Sequence, residues 1–168
     1  MTEQLAYWYV AKTRHGAELG VRNRLRECGV ESFVPTCTRR ASRGKKMVEM
    51  PLLNSFVFIR AKKSDALDLI HFSGVKADYV FDCATHRLMV VPDKQMDDFR
   101  RVLDASIEEG GLMDKPLHPG ERVRVIHGAL KGVEGFVLEI QGRYFVVVGL
   151  LNCLFARARV PRAWLEII

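Results

Sequence analysis

The residue types most able to do chemistry are scattered along this chain. Cys28, Cys37, Cys83 and Cys153 stand far apart and form no CxxC pair, so neither a tetrahedral metal site nor a disulfide framework is expected. They read as reduced, buried or half-buried thiols. His15, His71, His86, His118 and His127 show no HxxxH or HExxH spacing and read as surface or turn residues. Asp97 and Asp98 are adjacent on a predicted helix and therefore point in different directions, as solvated first-turn acids do. With no glycine-rich phosphate loop, activated nucleophile or carboxylate pair, the sequence predicts a protein that is not an enzyme and holds no metal or cofactor.

Cations and aromatic rings are the chemistry that does cluster. Lys12, Arg14, Arg22, Arg24, Arg26, Arg39, Arg40, Arg43, Lys45 and Lys46 face only Glu18, Glu27 and Glu31 within the same stretch, whereas residues 47–168 carry equal numbers of acids and bases. The whole net charge of +6 therefore arises in one fifth of the chain, which suits phosphate contact. A solvated helix face plus a mobile hairpin accounts for the same pattern.

The densest apolar run is Pro51-Leu-Leu-Asn-Ser-Phe-Val-Phe-Ile-Arg60. As a strand it sends Phe56 and Phe58 to one face and Val57 and Ile59 to the other, so both faces need cover. The strand is then either sandwiched within its own domain or left with an aromatic face on which a partner docks.

Several elements must position these groups. Tyr7 to Lys12 reads as a strand, ending at Thr13-Arg-His-Gly16. From Ala17 to Cys28 an amphipathic helix buries Val21, Leu25 and Cys28 and turns Glu18, Arg22 and Arg26 outward, with Gly29 as its stop. Val30 to Thr36 reads as a strand that Pro35 places near a sheet edge or a strand end, and Arg39 to Lys46 as a cationic hairpin tip from which Met47–Met50 returns. Lys63–Asp65 caps a short helix through Leu67 and Ile70 that Gly74 ends. Tyr79–Asp82 and Leu88–Val91 flank a turn at residues 83–87. Pro92 starts a helix with Met96, Phe99 and Leu103 as its buried stripe. The acidic, then glycine- and proline-rich stretch 108–119 reads as a linker. Gly120 to Ile168 is all strand and turn, with a tight turn at Gln141-Gly142, which suggests a small closed barrel. The N-terminus shows no signal-peptide pattern and no apolar run reaches the roughly 18 residues a membrane span needs, so a cytoplasmic protein without membrane contact is expected.

Two stretches resemble one family. Gly120-Glu-Arg-Val-Arg-Val-Ile-His-Gly-Ala-Leu-Lys-Gly-Val-Glu-Gly-Phe-Val137 resembles the KOW motif, with Gly128, Gly132 and Gly135 where the chain must reverse tightly. Tyr7-Trp-Tyr-Val, the helix from Glu18, Phe33-Val-Pro35, the Pro51–Ile59 run and Val91-Pro-Asp-Lys-Gln-Met-Asp-Asp-Phe99 follow the order of a NusG N-terminal domain. The resemblance covers nearly the whole chain. It implies an α+β N-terminal domain (residues 1–107, an antiparallel sheet flanked by helices), a linker (108–119) and a small all-β SH3-like KOW barrel (120–168). Asn54-Ser-Phe-Val-Phe58 and the Val-Pro-Asp-Lys-Gln-Met helix look most like the UpxY branch, specialised antiterminators of surface-polysaccharide operons. General NusG proteins have Pro-Gly where this chain has Asn54 and Ser55.

The resemblance further implies that the first domain binds the clamp helices of the largest RNA polymerase subunit through Leu53, Phe56 and Phe58, with Trp8 and Tyr9 as neighbours. It places Arg14, Arg22, Arg24 and Arg26 against the non-template DNA strand, and Arg39, Arg40, Arg43, Lys45 and Lys46 near upstream duplex. Leu130, Val133 and Phe136 match the region that engages ribosomal protein S10 or Rho, although barrel core is the simpler reading for Phe136. A monomeric elongation and antitermination factor is the function implied; an RNA-binding or ribosome-associated KOW protein is the alternative.

Overall fold

The computed structural model describes residues 5–105, 112–113, 120–151 and 154–168. Residues 108–111 and 114–119 of the expected linker, His118 among them, and Cys153 lie outside them. The chain divides into two compact units, residues 1–91 and 92–168.

The first unit is built on β1 (Ala6–Lys12) and β5 (Phe56–Lys62), paired antiparallel over their full length with Val10 opposite Phe58 and Tyr9 opposite Ile59. β2 (Glu31–Phe33) adds to the outer side of β5, while β6 (Asp78–Tyr79) and β7 (Val90–Val91) both pair with β1. Because side chains alternate across a strand, this register puts Tyr9, Ala11, Val57 and Ile59 on one face and Trp8, Val10, Phe56 and Phe58 on the other. On the first face Ala11, Val57 and Ile59 form a core with Val21 and Leu25 of α1 (Glu18–Glu27) and with Leu69 and Ile70 of α2 (Lys63–Phe72). α2 starts without a side-chain cap, so the Lys63–Asp65 cap expected from sequence is not formed.

The long apolar run is not one strand. Pro51 ends β4 (Met47–Pro51), residues 52–55 turn, and β5 begins only at Phe56. Ser55 adopts φ 68°, the left-handed conformation that glycine takes without strain. Its N–H donates to Glu18 Oε1 at 2.7 Å and its carbonyl accepts from the Thr13 N–H at 2.9 Å, so both backbone groups of this turn are satisfied. β3 (Thr36–Arg40) pairs with β4 as a separate two-stranded hairpin, closed at Ala41 and Lys46.

The second unit is a six-stranded antiparallel sheet in the order β13 (Leu165–Ile167), β9 (Arg122–Val125), β10 (Glu134–Ile140), β11 (Arg143–Leu150), β12 (Leu154–Arg159), β8 (Leu112–Met113). Leu112 and Met113 therefore pair with β12, inside the stretch expected to be linker. Gln141 and Gly142 both take positive φ, 50° and 73°, as the expected two-residue hairpin turn requires. Gly128 and Gly132 also need positive φ, but Gly135 does not. At Gly135 an added Cβ would lie 2.3 Å from the Val147 carbonyl oxygen, so the close approach of two strands is what excludes a side chain there.

Helix α3 (Asp93–Ala105) belongs to this second unit, whereas the sequence expectation ran the first domain through residue 107. Its polar side chains explain the difference. Lys94 Nζ donates to the Gly132 carbonyl at 2.7 Å, Gln95 Nε2 to the Gly149 carbonyl at 2.7 Å, and Arg101 to the carbonyls of Ala129 and Lys131 at 2.8 and 2.9 Å. Asp98, expected as a solvated acid, is buried and accepts from Lys94 and from the Glu134 N–H.

No helix among the described residues is long and apolar enough to cross a membrane.

Candidate functional site

The site expected at the aromatic face divides by burial. Trp8 and Phe58 are buried, Phe58 completely, and the Phe58 ring lies 6.2 Å from that of Phe33. Phe56 and Leu53 remain half-exposed, and Lys12 Nζ sits 5.8 Å from the Phe56 ring centroid, a cation over a π face. Tyr9 is on the opposite face, buried with Ala61 and Ala66 and 5.7 Å from Tyr79. It shares no surface with Phe58, because its register places it on the other side of the sheet. Tyr79 donates to the Ala66 carbonyl at 2.5 Å, and burial pushes its phenol up to about 12. Of the five residues expected to meet a protein partner, Leu53 and Phe56 thus offer accessible surface, while Trp8, Phe58 and Tyr9 are packed.

The expected cationic residues also divide. Arg22 is buried, and its guanidinium grips the Glu49 carboxylate with two hydrogen bonds, 2.6 and 3.0 Å. The bidentate fork is the strongest geometry available to such a pair. The Arg22 bond above all holds the Glu49 carboxyl down at about 2; burial opposes it and the Thr36 hydroxyl assists. Arg22 therefore ties α1 to the hairpin. Its helical neighbour Glu18 is buried as well. Burial works to raise the Glu18 carboxyl, but backbone N–H groups led by Ser55 outweigh it and the group is lowered. Two of the three residues expected on an outer helix stripe thus point inward, and only Arg26 is exposed. The expected inward Cys28 is exposed at the helix end, and Cys83 in its turn likewise.

Arg24 is exposed and shared between Glu27 at 3.1 Å and the Ser73 carbonyl at 3.3 Å. Arg14 is exposed and lines a cleft of about 690 Å³ with Lys12, His71, Lys76 and Asp78. Sequence reasoning missed Lys76 and His71 here, because both are distant in sequence and neither belongs to a charge run. Arg39, Arg40, Arg43, Lys45 and Lys46 are all exposed on the hairpin, alongside the exposed Met47, Val48 and Met50.

In the second unit Val133 has no exposed surface and Leu130 almost none, while Phe136 is 43% exposed. The simpler expectation for Phe136, a core ring, is thus overturned. Its strand β10 has no fully buried position, so this strand leaves its side chains at least partly open to solvent. Among the described residues no group of three His, Cys, Asp or Glu is placed to hold a metal ion.

No curated protein matches this chain. Among the solved structures that match, two are similar over nearly full length. One, titled "Domain interaction in Thermotoga maritima NusG", is 20% identical, covers 97% of each chain and has a TM-score of 0.49. The other, an MjSpt4:Spt5 complex, is 11% identical, covers 96% of this chain and 97% of that one, and has a TM-score of 0.29. Both lie too far away to carry an argument. The family described as transcription termination factor NusG matches residues 6–100, more than half of the 168 residues, and the chain belongs to the NusG family.

Proposed function

We propose that the protein is a transcription elongation factor that docks on the clamp helices of the largest RNA polymerase subunit and steadies nearby DNA. The observation that carries this reading is the half-exposed corner of Leu53 and Phe56, which directly follows a hairpin of five exposed cations in a unit of NusG-family sequence. An apolar patch beside a cationic arm suits a protein surface next to nucleic acid. Trp8 and Phe58 share the sheet face of Phe56 but are buried, so they add no surface to the corner. Arg14, Arg24 and Arg26 with the Lys12–Asp78 cleft face the non-template strand, and the hairpin faces upstream duplex.

The functional N-terminal domain is taken as residues 1–107, because the family match runs to residue 100 and so past the start of α3. Residues 120–168 are taken as a KOW module, with Phe136 as the exposed member of a surface for ribosomal protein S10 or Rho. The Asn54-Ser55 turn favours the UpxY branch and antitermination at surface-polysaccharide operons. Ser55 holds the left-handed conformation without the glycine general relatives use.

Transcription in vitro through a terminator on a leader template tests the function. Added protein raises readthrough. Unchanged readthrough, with binding to ribosomes or structured RNA instead, would overturn the reading in favour of an RNA-binding module.

A further inference from the structure

The corner of Leu53 and Phe56 depends on a turn that its own residues do not favour. Ser55 lies between the two side chains and takes φ 68°, a conformation in which a Cβ is crowded and a glycine is not. A change in that dihedral swings residues 52–54 away from β5 and takes Leu53 with them. Phe56 stays behind, because strand register fixes it opposite Lys12. The placement of Leu53 beside Phe56 is therefore set at Ser55, by neither of the two apolar side chains.

Three hydrogen bonds secure the turn. The Leu52 N–H donates to the Pro35 carbonyl at 2.7 Å, the Thr13 N–H to the Ser55 carbonyl at 2.9 Å, and the Ser55 N–H to Glu18 Oε1 at 2.7 Å. The first two join backbone to backbone, and of the three only the last is accepted by a side chain. Its acceptor is a carboxylate, which makes it the stronger kind of bond. Glu18 opens α1, where an acid also offsets the positive end of a helix whose N-cap, Ala17, supplies no side-chain bond. That service can be given from solvent, yet Glu18 is fully buried and its second oxygen, Oε2, has no hydrogen-bond partner in the protein. Keeping a carboxylate there costs stability. Helix capping does not demand that cost, whereas fixing Ser55 does.

We infer that Glu18 is a positioning residue for polymerase docking: its carboxylate holds Ser55 in the left-handed conformation and thereby sets Leu53 beside Phe56. This role rests on the docking proposed above, which gives the corner its use. Glu18 itself is buried and acts only through the turn.

The test compares full-length wild type, Glu18→Gln, Ser55→Gly and the two changes together for capture of RNA polymerase. Glu18→Gln keeps the shape of the side chain and removes its charge, and is expected to weaken capture about tenfold, as loss of a charged hydrogen bond does. Ser55→Gly alone is expected to leave capture unchanged. In the Glu18→Gln background it is expected to restore capture to within about twofold of wild type, because glycine holds the turn's conformation unaided. A role confined to the start of α1 predicts no such rescue, since residue 55 is not part of that helix. Backbone chemical shifts of Ser55, recorded without polymerase, report the turn separately from docking and are expected to leave the left-handed range in Glu18→Gln. If they do so while the wild-type chain captures no polymerase, docking falls and the hold of Glu18 on the turn stands. Left-handed shifts retained in Glu18→Gln, capture unchanged by Glu18→Gln, or a loss of capture that Ser55→Gly does not restore would each overturn the assignment of Glu18.

Discussion

Helix α1 and the β3–β4 hairpin carry similar densities of positive charge, and the fold uses them in opposite ways. In the helix Arg22 is buried on Glu49 and Arg24 is occupied by Glu27 and Ser73. In the hairpin Arg39, Arg40, Arg43, Lys45 and Lys46 are all exposed. A guanidinium that already donates two hydrogen bonds to a carboxylate has little left for a phosphate. Position relative to a folded partner, not charge in the sequence, decides which cations stay open to solvent. The same division separates Phe58, which is core, from Phe56, which keeps accessible surface two residues earlier.

That second division predicts the largest effect. Phe58→Ala is expected to cost about 3–5 kcal/mol in urea unfolding, as a large-to-small change at a fully buried ring does. Phe56→Ala should cost less than half of that. Equal costs would mean that the two rings are equivalent and that the exposed corner does not exist.

Next in size is the α1–hairpin tie. Arg22→Met is expected to destabilise by about 1–2 kcal/mol, the low end for a charged hydrogen-bonded pair because Glu49 is 41% exposed. The pH dependence has a definite sign. Glu49 is depressed from its ordinary 4.5 to about 2 in the folded protein, so its contribution is present above 4.5 and is lost as pH falls through about 2. A carbon-detected titration of the Glu49 carboxyl should show a midpoint near 2, returning toward 4.5 in Arg22→Met. A native midpoint at 4.5 would dissolve the contrast between helix and hairpin.

Neutralising Arg39, Arg40, Lys45 and Lys46 to glutamine should leave stability within about 0.5 kcal/mol. The same change should weaken duplex DNA binding and flatten its log-log salt slope by about 0.9 for each phosphate that the hairpin no longer neutralises. Ser55→Gly should have the smallest effect, a gain of about 0.5 kcal/mol in thermal unfolding from relief of a positive φ.

Much of this fold was legible in the chain. The alternation of β9, the period of α1 and the glycine turns mark their elements because each is a local pattern. The fates of Glu18, Arg22 and Asp98 were not legible, since each is decided by a partner far away: the Ser55 N–H, Glu49 and the Glu134 N–H. Helical spacing groups Glu18 with Arg22 and Arg26 as one polar stripe, but it cannot show that a turn and a hairpin come to meet the first two. For the same reason α3 displays its own buried stripe in sequence while its polar side, which reaches backbone carbonyls of the second sheet, looks like ordinary solvent-facing charge.

Capture of RNA polymerase by Leu53→Ala with Phe56→Ala tests the central claim most directly, because it touches only half-exposed side chains and leaves Phe58 in place. Removing the apolar surface of these two residues should weaken capture at least tenfold, with the urea midpoint lowered only modestly and hairpin-dependent DNA binding intact. A folded double variant that still captures polymerase at wild-type affinity would contradict the docking surface proposed for this protein.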